Sequence, residues 1–313
     1  MRITRRHLQF SLAVLWLLDA ALQCQPIMFS RGFARRILDP ATQGQPAILA
    51  QPLHLIATQV STYPAVANGA FITIQILLGL GLLTRRFTRV TLVASIAWAL
   101  SVWIVGEGLG GVTTGSTILS GAPGAALLYA VIAALAWPAR TKSADESPSR
   151  WAPIAWSALW LIGAALQLLG GNNSAASFTM MLRGAQSGSP GWIERIDHHL
   201  GLLRFPYWSA ACVVALYLLI AMWALVPGWT RRLSLGLGMV VAMTGWLLVQ
   251  GLGDLTSGQS TDLNTGPLIV LLALAGLGAT HSREVAKRPL PLEWSSDTAG
   301  SGRRARPSLV TGS

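Results

Sequence analysis

Most of this chain is taken up by apolar runs too long and too free of charge to be the core of a water-soluble domain. They cover residues 8–27, 65–83, 90–105, 122–137, 153–169, 207–226, 233–252 and 267–279, the last being the shortest. A hydrocarbon core about 30 Å thick takes about 20 apolar helical residues, fewer where flanking side chains reach outward. Only 11% of the 313 residues are charged and 52% are hydrophobic, with a mean hydropathy of +0.51. Soluble domains carry roughly 25% charged residues, and so few charges cannot cover a globular surface. Lipid leaves the backbone no solvent partner, so each run must satisfy its own amides as a helix. The expected fold is an all-α integral membrane protein with eight transmembrane helices.

The formal net charge is +11, yet this is no nucleic-acid footprint. The basic residues sit at the ends of the apolar runs, and no aromatic–basic surface alternates along the chain. The expected partners are the lipid bilayer and a membrane protein, with no nucleic acid. With the N-terminus inside, 17 Lys and Arg fall on cytoplasmic segments and 6 on outer loops. That asymmetry puts both termini in the cytoplasm of a bacterial cell, in its plasma membrane. The first run could pass for a secretion signal, but Asp19 inside it and the context before Cys24 argue against cleavage. Cys24 and Cys212 form no CxxC or zinc spacing.

Two nearly identical strings, "WLLDAALQ" at Trp16 and "WLIGAALQ" at Trp160, expose an internal repeat. The same shift of 144 carries Gly44, Pro46, His54 and Tyr63 onto Gly188, Pro190, His198 and Tyr207. After one deletion, Arg89, Trp103, Gly108, Leu109 and Gly110 fall on Arg232, Trp246, Gly251, Leu252 and Gly253. The register predicts two parallel four-helix repeats, because an even number of crossings returns the chain to the same side. The expected organisation is a first repeat at 1–139, a cytoplasmic linker at 140–150, a second repeat at 151–280 and a disordered cytoplasmic tail at 281–313. The outer loops are then 24–64 and 170–206. In the second, Trp192, Ile193, Ile196, Leu200 and Leu203 share one helical face, predicting an interfacial amphipathic helix. Its counterpart in the first loop is interrupted by Pro52.

The glycine-rich helix end "GLGLLTRR", carried by Gly79, Gly81, Leu82, Leu83, Thr84 and Arg85 and followed by a second apolar run, resembles the DoxX-like membrane proteins. The resemblance covers about two helices per repeat. It implies a four-helix unit and a link to respiratory or redox systems, and it brings no catalytic residues.

Four residues stand out as a polar intramembrane or outer-face site. Asp19 is a carboxyl near mid-membrane, where it costs several kcal/mol unless paired, protonated or facing water. It reads either as a proton or ligand site or as hydrogen-bonding glue between helices. Its counterpart is Gly163, and Gln23, Gln75 and Glu107 are its candidate partners. Glu107 follows Trp103 by one turn, as Gln250 follows Trp246, and each precedes a glycine-rich turn. His54 and His198 hold equivalent positions in the outer loops, but no HxxH or HxxxH spacing supports a metal site, and none is expected. Signatures of prenyl, serine-hydrolase, nucleotide-binding and zinc-protease sites are missing, "GEGLGG" follows no strand, and no histidine lies within a crossing to ligate haem. The sequence therefore points to a non-enzymatic accessory subunit of a respiratory or redox system, with no cofactor specified. A small-solute or ion transporter with its site between the repeats is the alternative, and an enzyme with an outer-face polar site is a third, weaker reading.

The basic asymmetry predicts that reporter fusions after Arg86 and Lys142 signal cytoplasm and a fusion near Ala41 signals the outside. An outside signal at Lys142 would contradict the helix count.

Overall fold

A computed structural model of the chain describes residues 3–139, 149–169, 171–184, 189–203 and 205–286. The expected linker, apart from Ser149 and Arg150, and the expected tail beyond Ala286 lie outside the described residues.

The described residues are all-helical, without strands. Each apolar run holds one principal helix: α1 (Arg5–Leu22), α3 (Pro64–Leu83), α4 (Thr88–Val105), α5 (Ala125–Leu135), α6 (Ala152–Leu168), α9 (Ser209–Leu225), α10 (Trp229–Leu248) and α11 (Thr265–Ala286). Between them lie α2 (Ala47–Thr62), α7 (Ala175–Gly184) and α8 (Gly191–Gly201). Two helices, Pro64–Leu83 and Thr88–Val105, are long and apolar enough to cross a membrane by length and composition. Helix α5 has 11 residues, about 16 Å of rise. The segment before it is irregular from Val112 to Gly124, yet Thr117, Ile118 and Ala122 are buried.

Several local expectations change. Helix α2 runs straight through Pro52, which was expected to interrupt it. Helix α11 continues past residue 280 to Ala286, into the stretch expected to be tail. Helix α8 forms, but its buried line is Ile193, Asp197 and Gly201. Trp192, Ile196 and Leu203, expected on the apolar face of an interfacial helix together with Ile193, are exposed, while Ile193 is buried. The helix docks on α7 and α10, and a contact on its flank leaves most of its apolar face outward.

The packing graph is the same in both halves. Helix α1 packs on α3 and α5, α3 on α4, and α4 on α5; α6 packs on α9 and α11, α9 on α10, and α10 on α11. Helices α5 and α11 pack on each other and join the halves. Buried tryptophans fix each core. Trp16 donates its indole N–H to Ser95 Oγ at 2.9 Å and meets Tyr129 at a ring separation of 4.5 Å. Trp156 donates to Ser234 Oγ at 3.2 Å, and Trp160 lies 5.1 Å from Tyr217.

Small residues make these contacts reachable. Gly238 in α10 faces the rings of Trp156 and Trp160, and an added Cβ would overlap both, while Gly236 on the same helix faces open space. The two rings are fully buried and cannot yield cheaply. Gly238→Ala should therefore destabilise the protein by about 1–3 kcal/mol, the range for overpacking. Gly236→Ala should be neutral or stabilise by up to about 1 kcal/mol, through helix propensity alone. Thermal denaturation of the two variants in detergent checks the opposite signs.

Candidate functional site

The site begins with a turn that both halves share. After α4, Gly108, Leu109 and Gly110 take φ values of 53°, 61° and 62°. After α10, Gly251, Leu252 and Gly253 take 52°, 61° and 69°. Left-handed backbone is costly at leucine, so something must hold it. Trp103 donates its indole N–H to Pro123 O at 2.7 Å, and Trp246 does the same to Leu263 O at 2.7 Å. Glu107 Oε1 accepts from the amide of Ala126 at 2.9 Å, closing the first turn of α5. Gln250 Oε1 accepts from the amide and hydroxyl of Thr265 at the start of α11.

The turn sends the following loop onto the opposite half. Asn172 of the second half donates to Gly115 O at 2.7 Å, and Gln250 donates to Leu119 O at 3.1 Å. In return, Gln25 of the first half donates to Ser260 O at 3.0 Å. Each half is thus covered by its neighbour's loop. At the 143-residue register, Ile118 and Leu119 correspond to Thr261 and Asp262.

That exchange has opposite results in the two halves. In the second, Ile118 fills the space beside Gly163, where an added Cβ would overlap it. In the first, the counterpart of Gly163 is Asp19, the capping residues are Thr261 and Asp262, and a cavity of about 250 Å³ remains. Phe33, Phe71, Trp98 and Val60 line its apolar walls. Asp19, Gln23, Gln75, Glu107, Tyr129 and Asp262 supply its polar lining.

Most of those polar groups are unsatisfied. Asp19 is 2% exposed, and Gln23 and Gln75 are each 5% exposed. Gln23 Oε1, Gln75 Oε1 and the Trp98 indole N–H lack a hydrogen-bond partner, while Asp19 Oδ1 with the Tyr129 hydroxyl, and Glu107 Oε2 with the backbone at Ala125, face each other without a well-aligned bond. Buried polar atoms are ordinarily paired, and an orphan costs about 1–3 kcal/mol. Six such poorly satisfied atoms belong to residues that line this one cavity. Asp262 is held by its own loop, accepting from Asn264 N at 2.6 Å and Thr261 Oγ1 at 3.0 Å.

Two polar cavities, of about 350 Å³ and 590 Å³, adjoin the chamber. Glu107 and Asp262 line the first of these, while Asp262, Asp254 and Arg36 line the second. Asp262 therefore borders all three spaces.

The sequence named Asp19 and Glu107, and the structure brings them to one cavity together with Gln23 and Gln75, the candidate partners of Asp19. His54 and His198 lie elsewhere, both exposed; His54 Nε2 is 3.3 Å from Thr42 Oγ1, and His198 stacks edgewise on His199. Among the described residues no three His, Cys, Asp or Glu side chains converge as a metal site would require. Asp262, Trp98 and Tyr129 escaped the sequence reading. Aligning Asp262 with Leu119 would have flagged it, since the repeat replaces an apolar residue with an acid there.

Glu107 lies in the turn beyond the end of α4. Burial, reinforced by the charge of Asp262, pushes its carboxyl up to about 8. Burial also raises Asp262 and Asp254. Between the ordinary carboxyl range and about pH 8, the folded protein holds a proton at Glu107 that the unfolded chain releases. Stability should therefore fall as pH rises through that window. Glu107→Gln removes this loss, and Gln250 shows that an amide fits the same turn. Melting temperatures from pH 5 to 9 should decline less steeply for the variant; equal slopes would contradict the assignment. No protein-family model matches the chain, and neither a curated protein nor a solved structure matches it.

Proposed function

We propose that the chain is a multi-pass membrane protein that binds a small solute in a chamber of its first half and exchanges it with the outer side. In this reading eight helices cross the bilayer as two parallel four-helix repeats, with both termini in the cytoplasm. Apolar side chains standing outward on the apolar helices support the membrane placement: Val66 is 74% exposed, Val90 71% and Val240 63%. Water would make such faces a liability, whereas acyl chains solvate them. The short α5 is compatible with a crossing because the irregular segment before it is buried in protein rather than lipid.

The observation that carries the functional reading is the gathering of unpartnered or poorly satisfied polar groups around one cavity. A purely scaffolding subunit has no use for them. Of the roles the sequence suggests, the DoxX-like accessory role rests on the resemblance alone. The solute-handling role is favoured by a chamber that takes its lining from both halves, since Thr261 and Asp262 come from the second.

The test is ligand screening of the purified full-length protein by thermal shift, with small cations, anions and neutral molecules as separate sets. At least one set should raise the melting temperature. Val102→Trp, which fills the chamber from its wall, should abolish that shift while leaving the helical circular dichroism intact. No stabilisation by any set would overturn the reading, as would a shift that survives Val102→Trp.

A further inference from the structure

We propose that the chamber takes a small organic cation: a protonated amine on an apolar body, with the ammonium held at Asp19 and Glu107 and the body against Phe71 and Trp98. This rests on the solute-binding reading above and names the class of solute.

The first argument is the balance of unpaired groups. Asp19 Oδ1, Gln23 Oε1, Gln75 Oε1 and Glu107 Oε2 are acceptors. Against them stand one indole N–H from Trp98 and the Tyr129 hydroxyl, which can act either way. The amides of Gln23 and Gln75 carry N–H groups beside their oxygens, but the carboxyl oxygens, once ionised, are best answered by a partner that brings several N–H or O–H donors. An ammonium brings three and accepts none.

Charge gives the same answer. Asp19, Glu107 and Asp262 line the chamber and no Lys or Arg does. An anion would meet three carboxyls and no compensating charge. A zwitterionic lipid headgroup would bring a phosphate for which the chamber has no basic side chain. Of the adjoining cavities, one is lined by Glu107 and Asp262 and the other by Asp254 and Asp262 together with Arg36.

Shape and surface exclude simpler occupants. A bare metal ion is ordinarily held by three or four convergent ligands, and no three His, Cys, Asp or Glu side chains converge in that way among the described residues. Water alone would be poorly held, because the polar groups share the chamber with aromatic and aliphatic walls. Phe71 and Trp98 stand 5.5 Å apart between ring centroids, Phe33 lies 6.1 Å beyond Phe71, and Trp16 completes the aromatic lining. Such faces attract a cation through the ring quadrupole and an apolar body through burial. The volume, about 250 Å³, is below the roughly 300–1,000 Å³ of drug-sized pockets, so the guest is small. The second half offers no equivalent, because Gly163 and Ile118 close it.

The experiment titrates the purified full-length protein at pH 9, above the value of about 8 to which burial lifts Glu107, with three probes of one shape and different head: 2-phenylethylamine, 2-phenylethanol and 3-phenylpropanoate. The amine should bind, the alcohol about tenfold or more weakly, and the acid not at all. Asp19→Asn keeps the side-chain volume and should remove the advantage of the amine while sparing the alcohol. If that variant fails to fold, Glu107→Gln should likewise bring amine and alcohol closer together. Alcohol or acid binding as tightly as the amine would overturn the cation assignment and leave the solute-binding reading standing. Binding of none of the three, with other solutes still stabilising the protein, would do the same. If no solute of any class binds, both fail.

Discussion

The architecture depends on a run of four left-handed residues, Gly108–Gly111 and Gly251–Asp254, that an indole holds in place. A helix that simply ended at Val105 or Leu248 would let its connection fold back over its own bundle. Instead Gly108–Leu109–Gly110 and Gly251–Leu252–Gly253 reverse the chain within a few ångströms, and Trp103 and Trp246 tie the far ends of the loops through Pro123 O and Leu263 O. The glycines are required by contact as well as by φ. A Cβ on Gly108 would run into Ala41 O, and one on Gly110 into the backbone of Pro123. Reversed this way, each loop is delivered to the opposite half, and neither half is closed without the other.

Near-symmetry then explains why there is one chamber rather than two. The repeat aligns Asp19 with Gly163 at the shift of 144 that pairs Trp16 with Trp160, and Glu107 with Gln250 and Leu119 with Asp262 at the shift of 143 that pairs Trp103 with Trp246. Three substitutions convert a sealed contact into an acidic space. In the second half, Gln250 spends its amide on Leu119 O and Ile118 fills the remaining volume. In the first, Glu107 has no amide to spend, and its second oxygen is left facing the cavity. A buried carboxyl with an open valence is destabilising unless a ligand or proton answers it. Its retention beside a neutral, satisfied twin therefore speaks for use rather than for stability.

Much of the fold was legible in the sequence because helix-forming apolar runs and a repeated register are strong local signals. Each run contains a helix, with ends displaced by a few residues where turns compete. What could not be read was which surfaces meet. The inner line of α8 is Ile193, Asp197 and Gly201 because of how it docks, which periodicity alone does not encode. Asp19 and Glu107 were visible as charges out of place. Asp262 looked like an ordinary loop acid, since only the exchange of loops carries it to the chamber. Tyr129 and Trp98 read as core residues, and their unpaired hydroxyl and N–H appear only once the cavity is seen.

The central claim is that the chamber is a place where a guest sits, with its charge at Asp19. An experimental structure of the full chain soaked with 4-bromophenethylamine tests it most directly, because the bromine can be located by its anomalous scattering. The account predicts the bromine among the aromatic walls near Phe71 and Trp98, with the ammonium within hydrogen-bond reach of Asp19. A bromine found only outside the chamber, or a chamber closed by its own side chains with Asp19 and Glu107 paired to protein groups, would contradict it.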